Sequence, residues 1–253
     1  MEKNKIMSVK IYESVDELIT MIADDLMQKI NTAISKNGEC SVVLSGGNSP
    51  RRLYELLASH PYRTAIDWDK IYFFFGDERC VPFEDPDNNG SMLKKTLFEP
   101  LKIADSRILY ISTLQSPEEA SKKYSKRIMT HFRNKPIRFD IVLLGLGNDA
   151  HTASLFPHTP VLHEQKALVS AVYLENEKRS RITLTAPLLN EAHSILFLVY
   201  GESKAHAVHQ VLEGEKNYEE YPAQLINPED GTIDWFLDTT AAALLKGVQT
   251  TTR

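Results

Sequence analysis

The sequence contains few cysteines, no long apolar run and no excess of basic residues. Cys40 and Cys80 are the two cysteines among 253 residues, too few for a disulfide framework or a cysteine-rich metal site, and both are expected to be reduced thiols. No segment approaches the roughly 18 consecutive apolar residues of a membrane-spanning helix, and the first residues lack a signal-peptide pattern. We therefore expect a cytoplasmic protein without a membrane partner.

The charge balance of the chain is slightly acidic. There are 29 Lys and Arg residues against 34 Asp and Glu residues, which gives a formal net charge of −5 with neutral histidine. Such a balance argues against a broad surface for nucleic acid or anionic lipid. An anionic small molecule would have to be held by a few placed cations.

Short apolar segments typical of buried strands alternate with amphipathic segments typical of helices. The expected strands are 40–44, 71–75, around 108–111, 139–144, 167–174, 181–184, 195–200 and 232–237. The expected helices are 14–37, 50–58, a short one from 91, one from 116, 203–212 and 239–245. This alternation predicts one α/β domain over residues 1–253. The domain should be doubly wound and Rossmann-like, with a mostly parallel sheet covered by helices on both faces.

Three segments follow expected strands and are candidates for a binding site, because ligands of such sheets bind beyond the carboxyl ends of the strands. The three segments are residues 45–50, 76–79 and 145–151, and the first of them is SGGNSP. Its glycines allow backbone N–H groups to converge on an anion, and Ser49 could cap the next helix with Pro50 in its first position. A tight turn without a ligand fits the same residues equally well. The Lys-Ser/Thr pair of a nucleotide-binding P-loop is absent.

Cations near these strand ends could bind phosphate. Asp77, Glu78 and Arg79 follow the expected 71–75 strand, and Arg79 could form a bidentate phosphate contact. Arg181 and Lys204 are further candidates. Each of these cations, taken singly, also fits a solvated surface charge.

The segment GLGNDAH, residues 145–151, matches a form of the dinucleotide-binding fingerprint. Pro157 and Pro160 would interrupt the helix that such a site requires. The preferred interpretation is a glycine turn that presents Asp149 and His151, with histidine as a base near neutral pH and the carboxylate orienting it or sharing its proton transfer. Backbone N–H groups near this turn could stabilise an oxyanion. The alternative is a structural or surface histidine.

Motifs for two other hydrolytic mechanisms are missing. The histidines do not form an H-E-x-x-H zinc motif, and no G-x-S-x-G segment supplies a serine nucleophile. No metal site is predicted.

Four blocks together resemble the 6-phosphogluconolactonase family: LSGGNSP, FFGDERCVP, LLGLGNDAHTASLFP and RITLTAPLLN…ILFLVYGESKA. The resemblance runs from about residue 10 to residue 245. It implies hydrolysis of 6-phospho-D-glucono-1,5-lactone to 6-phospho-D-gluconate, in the oxidative branch of the pentose phosphate pathway, without a metal or other cofactor. It also implies a sugar-phosphate isomerase/deaminase-like fold and a small-molecule substrate as the partner. We expect a monomer or a weak homo-oligomer.

The resemblance also implies roles for individual residues. His151 would be the base that activates water, with Asp149 beside it. The residues implied to contact the substrate and its phosphate are Ser45, Gly46, Gly47, Asn48, Ser49, Asp77, Arg79, Gly147, Arg181 and Lys204. One position departs from the family pattern, because Ala150 stands where glycine is usual. If that position needs a positive φ, alanine costs about 1 kcal/mol or more.

Two alternatives remain open. A glucosamine-6-phosphate deaminase or another sugar-phosphate isomerase would share the glycine loop and the Asp-x-His turn. Residues 152–161 contain no acid, however, where the deaminases have one. A non-catalytic sugar-phosphate-binding protein is the second alternative, and Ala150 is its only support.

Overall fold

The computed structural model describes residues 6–247. A six-stranded sheet in the order β1-β9-β8-β5-β2-β3 is parallel throughout, and a second, antiparallel sheet has the order β4-β7-β6. The strands are β1 Ile6–Tyr12, β2 Cys40–Leu44, β3 Ile71–Phe75, β4 Asp77–Arg79, β5 Ile141–Leu144, β6 Val169–Leu174, β7 Arg179–Leu184, β8 Ser194–Val199 and β9 Thr232–Asp238.

The helices connect and flank these strands. They are α1 Val15–Asn37, α2 Asn48–Leu57, α3 Tyr62–Ala65, α4 Asn89–Leu93, α5 Glu99–Leu101, α6 Pro117–His131, α7 Ala186–Asn190 and α8 Ala205–Leu212. A π-helical turn, Lys94–Phe98, joins α4 to α5, and 3₁₀ turns occupy Trp68–Lys70, Asp105–Arg107, Pro160–His163, Glu202–Lys204 and Pro222–Leu225.

The central strands β2, β5 and β8 are buried at every position. Successive side chains of a strand point to opposite faces, so complete burial means that both faces of the sheet are covered. One cluster of buried apolar side chains extends from Val9 to Ala242 within the described residues. The predicted α/β fold with a mostly parallel sheet is confirmed.

The long first helix begins and ends where its sequence predicts. The Ser14 hydroxyl accepts the N–H of Glu17 at 3.2 Å, which satisfies one of the free donors of the first turn. At the other end Gly38 adopts φ +81°, and its N–H donates to Ile34 O at 2.8 Å. Between these caps one face of α1 is buried, through Leu18, Ile19, Ile22, Ala23, Leu26 and Ile30.

Two strands were not predicted. β1 is an edge strand paired only with β9, and its apolar residues are interrupted by Ser8 and Lys10, so it carries no buried-strand pattern. Residues 77–79 were expected to be a loop. They form β4 because their backbone pairs with β7, which places Arg79 opposite Arg181.

Three further expectations are wrong. Helix α2 begins at Asn48 with Gly47 as its N-cap residue, so Ser49 does not cap it and Pro50 is not in its first position. Residues 108–111 form no strand, and only Ile108 bridges to β3. Residues 239–245 form turns, not a helix. There the Asp238 carboxylate accepts the N–H of Ala241 at 2.8 Å and the hydroxyl of Thr240 at 2.6 Å.

The topology brings four loops to one edge of the sheet. β8, β5, β2 and β3 are consecutive neighbours, and all run in the same direction. The segments that follow them, 200–204, 145–151, 45–47 and residue 76, therefore meet at the carboxyl edge. All three sequence-predicted segments lie there. None of the helices in the described part is both long and apolar enough to span a lipid bilayer.

Candidate active site

The turn after β5 holds a histidine and a carboxylate in contact. His151 Nδ1 lies 2.5 Å from Asp149 Oδ1, and the same oxygen accepts the His151 N–H at 3.3 Å. The turn is closed by two backbone bonds, from Gly147 N–H to His151 O at 2.8 Å and from Ala150 N–H to Gly147 O at 3.1 Å. The Gly147 N–H is thus already used and does not serve as the oxyanion donor considered from the sequence.

Gly147 is required by the close approach of this pair. A Cβ at Gly147 would lie 2.1 Å from His151 Nδ1 and 2.4 Å from Asp149 Oδ1. Gly145, two residues earlier, has nothing within 4 Å of its corresponding position. The first glycine of the turn therefore tolerates a side chain, and the second does not.

Ala150 has φ +61°, in the left-handed region, and is fully buried. The condition raised from the sequence, a positive φ at this position, is therefore met. An alanine at such an angle costs about 1–2 kcal/mol in backbone strain. The rest of the turn holds the residue in place, since its O accepts the Ala223 N–H at 3.0 Å.

Electrostatics favour an ionised Asp149. Burial alone would raise its pKa, but the hydrogen bond and charge of His151 outweigh burial and lower the pKa below 3.8. An ionised carboxylate can only accept hydrogen bonds, so we assign the imidazole proton to Nδ1. The Nε2 of a neutral His151 is then free to accept a proton from water. Burial lowers the pKa of the Lys204 ammonium group, and the negative charge of the nearby Asp149 opposes this decrease.

An aromatic ring separates His151 from an arginine. The ring of Phe156 stacks on the imidazole, with centroids 4.0 Å apart and planes 25° apart. The guanidinium carbon of Arg181 lies 5.6 Å from the centroid of the same ring. The stacking limits how the imidazole can rotate. Phe156 could not be predicted from the sequence, because a phenylalanine in a loop carries no chemical signal.

Two arginines lie opposite each other on β4 and β7. Arg79 and Arg181 are register partners of β4 and β7, and the Nε of each is buried without a hydrogen-bond partner among the described residues. Arg181 donates to Glu177 Oε2 at 2.5 Å, and Arg79 donates to the Asp87 carbonyl oxygen at 2.6 Å. The two guanidinium groups therefore start from opposite positions of one strand pair, and a neighbouring residue holds one terminal nitrogen of each.

The glycine loop leads into a helix N-terminus at the carboxyl edge of the sheet. Gly47 has φ +93°, and no side chain caps α2, so the first N–H groups of this ten-residue helix remain available to an anion. Asn48 and Ser49 are its first two residues. Ser45 is committed to the fold, because its hydroxyl donates to Leu143 O at 2.8 Å and its carbonyl accepts the hydroxyl of Tyr54 at 2.6 Å.

Asp77 and Glu78 lie beneath the site. The Asp77 carboxylate is buried and accepts the Ser154 hydroxyl at 2.6 Å. The Glu78 carboxylate accepts the N–H groups of Asn89 and Gly90, both at 2.8 Å. Burial raises the pKa of Glu78 to about 7, although these N–H donors oppose the increase. Asp77 lies opposite Thr183 across β4 and β7, two residues before Arg79 in the same strand.

A cavity of about 660 Å³ opens beside the histidine, between the 156–161 loop and the β6–β7 hairpin, and Asp149, Phe156 and Glu177 contribute to its wall. Cavities of about 390 and 590 Å³ at the opposite edge of the sheet share Asp140 and His193. Because these cavities are similar in volume, volume does not identify the candidate active site. The cavity lined by Asp149 is favoured because Asp149 contacts His151. Among residues 6–247, no three His, Cys, Asp or Glu side chains are grouped to hold a metal ion.

Fold and site together define a class of α/β proteins with a histidine–carboxylate pair and clustered cations at the carboxyl edge of a parallel sheet. Residues 13–235 match the family model for glucosamine-6-phosphate isomerases/6-phosphogluconolactonase. The chain belongs to this family.

Similar proteins cover nearly the whole chain. A 6-phosphogluconolactonase of Synechocystis is 39% identical over 222 residues, which are 86% of this chain and 90% of that protein. A 6-phosphogluconolactonase of Nostoc is 36% identical over 94% of this chain and 98% of its own length. The solved 6-phosphogluconolactonase of Trypanosoma brucei superposes with a TM-score of 0.85 at 25% identity, covering 96% of this chain and 100% of that one.

Proposed function

We propose that the protein is a 6-phosphogluconolactonase, which hydrolyses 6-phospho-D-glucono-1,5-lactone to 6-phospho-D-gluconate in the oxidative branch of the pentose phosphate pathway. The observation that carries the proposal is the pairing of His151 Nδ1 with Asp149 Oδ1 at 2.5 Å, on an imidazole that stacks on Phe156, whose ring centroid lies 5.6 Å from the Arg181 guanidinium carbon. The family membership and the named relatives support the choice of substrate.

His151 acts as the general base. Its Nε2 accepts a proton from a water molecule, whose oxygen attacks the lactone carbonyl carbon. The imidazolium is stabilised by the Asp149 carboxylate, and it returns the proton to the ring oxygen when the carbon–oxygen bond breaks. A δ-lactone is an activated ester, so a base of this kind is sufficient, and it contributes about 10²–10⁴-fold to the rate. The step requires neither a metal ion nor another cofactor.

The substrate phosphate binds at the arginines and the glycine loop. Arg79, Arg181 and Lys204 supply positive charge, and the backbone around Gly46 and Gly47 supplies N–H groups at the start of α2. Asn48 and Ser49 open that helix and complete the phosphate contact, while Ser45 holds the loop to β5 and Gly147 leaves room for the catalytic pair. Binding energy from the phosphate, remote from the reacting carbon, holds the carbonyl over His151.

We also propose that residues 1–253 form one domain and that the protein works in the cytoplasm. The continuous core from Val9 to Ala242 supports a single domain. Cys40 and Cys80 are unpaired thiols, as expected in a reducing compartment. A monomer or a weak homo-oligomer satisfies the proposal, since every residue with an assigned role comes from one chain.

The test is hydrolysis of 6-phosphogluconolactone, generated in place from glucose 6-phosphate, compared with its spontaneous decay and measured with EDTA present. We expect hydrolysis well above the spontaneous rate and independent of the chelator. No acceleration would contradict the proposal, and turnover of glucosamine 6-phosphate instead would favour the deaminase alternative. Tight binding of 6-phosphogluconate without turnover of either substrate would favour a binding protein.

The phosphate assignment has its own test. Arg79→Ala should raise KM for the phosphorylated lactone and change hydrolysis of unphosphorylated glucono-1,5-lactone much less. Arg127→Ala is the matched control, because Arg127 donates to backbone oxygens of Tyr110 and Ile108, and none of these residues has a role in the site. Equal effects of Arg79→Ala on both substrates would contradict the assignment.

A further inference from the structure

A buried hydrogen-bond chain begins at the loop that carries the base. Ser154, three residues after His151, is fully buried, and its hydroxyl donates to Asp77 Oδ2 at 2.6 Å. Its N–H donates to Thr183 Oγ1 at 3.1 Å, and Thr183 is the register partner of Asp77 across β4 and β7. Ser154 is thereby bound to both members of one strand pair.

The chain continues to the glycine loop. Asn89 Nδ2 donates to Asp77 O at 3.0 Å and lies 3.4 Å from Asp77 Oδ1. The Asn89 side chain packs so closely on Gly46 that a Cβ there would lie 1.8 Å from Asn89 Oδ1. The glycine loop thus rests on Asn89, and Asn89 is held by Asp77. A single carboxylate residue joins the supports of the two halves of the site.

We propose that Asp77 and Ser154 are positioning residues, whose hydrogen bond sets the distance between His151 and the phosphate-binding loop. This inference rests on the proposed function. A phosphorylated lactone is held at both ends, so a change in that distance moves its carbonyl away from the base. An unphosphorylated lactone is held at one end and can follow the imidazole. The contact therefore makes the site selective for a lactone whose phosphate lies at the right distance from the reacting carbon.

Ser154→Ala tests the proposal with two substrates, 6-phosphogluconolactone and glucono-1,5-lactone. We expect kcat/KM to fall at least about tenfold for the phosphorylated lactone and less than about twofold for the other. Ser121→Ala is the matched control, because Ser121 is also buried but donates to Glu118 O within α6, which contributes no site residue. It should change neither rate. Equal losses on both substrates after Ser154→Ala, or no loss on either, would overturn the inference.

Asp77→Asn makes the same comparison if Ser154→Ala does not fold. Asp77→Asn should also lower the ratio of kcat/KM for the phosphorylated lactone to kcat/KM for glucono-1,5-lactone. The double variant should lose no more of this ratio than the single variant with the larger loss, because both residues act through one bond. Losses that add would overturn the shared role. A wild-type protein that does not hydrolyse the phosphorylated lactone would overturn the proposed function together with this inference. Active wild type with an unchanged ratio in both variants would overturn the inference alone.

Discussion

Gly147→Ala places a methyl group directly into the catalytic pair. The new Cβ would lie 2.1 Å from His151 Nδ1 and 2.4 Å from Asp149 Oδ1, so both side chains must move by at least about an ångström to reach ordinary van der Waals contact. A misplacement of this size costs about 10²-fold in rate when a group has to meet a reacting atom. We therefore expect kcat to fall by about two orders of magnitude, with the fold retained. KM should change little, because the phosphate contacts are elsewhere.

Gly145→Ala is the matched control for this change. It adds the same methyl group to the same turn, but nothing lies within 4 Å of its position. Steady-state hydrolysis of 6-phosphogluconolactone, corrected for spontaneous decay, should be nearly normal for Gly145→Ala and strongly reduced for Gly147→Ala. Thermal unfolding of both variants checks that the fold is intact. Equal activity of the two variants would refute the argument that the His151–Asp149 geometry depends on Gly147.

Three other predictions concern stability and affinity. Ala150→Gly should keep full activity and shift Tm by less than about 4 °C in calorimetry. The change relieves about 1–2 kcal/mol of backbone strain, but it also removes a buried methyl group and increases the conformational entropy of the unfolded chain. A larger shift in Tm would contradict this balance. Glu177→Gln should tighten 6-phosphogluconate binding about tenfold in calorimetric titration, since it removes the carboxylate that competes for Arg181, whereas Glu175→Gln on the same turn should not; weaker binding would contradict the competition. Burial raises the pKa of Glu78 from 4.5 to about 7. Between these pH values the folded state therefore binds more protons than the unfolded state. The free energy of unfolding should fall by about 3 kcal/mol as the pH rises from 4.5 to 7. Glu78→Gln should remove that fall in urea titrations, and an unchanged pH dependence would refute the assignment.

The parallel sheet could be predicted from sequence because its central strands are short, mostly apolar and separated by helical patterns. The edge strand β1 could not be predicted, because the polar residues Ser8 and Lys10 interrupt its apolar residues. β4 could not be predicted either. Its residues Asp77, Glu78 and Arg79 are charged, and they form a strand only because β7 supplies the hydrogen bonds.

The contact between Asp149 and His151 could be predicted because the two residues are close in sequence and chemically distinctive. The partners that position them come from distant segments, and no local pattern indicates them. Asp77 shows the limit of such reasoning. Its contact with substrate is implied by the family resemblance and stays a prediction, but its hydrogen bond from the Ser154 hydroxyl, 77 residues away along the chain, could not be predicted. Glu177 was missed because its pairing with Arg181 depends on the conformation of the β6–β7 turn.

The most direct test of the account is His151→Ala, measured both for hydrolysis of 6-phosphogluconolactone and for binding of 6-phosphogluconate. His163→Ala is the control, since His163 is an exposed histidine paired with Glu219. We expect kcat to fall about 10²–10⁴-fold in His151→Ala, with the dissociation constant of 6-phosphogluconate changed less than about threefold. Retained hydrolysis, or loss of binding together with activity, would contradict the assignment of His151 as the base.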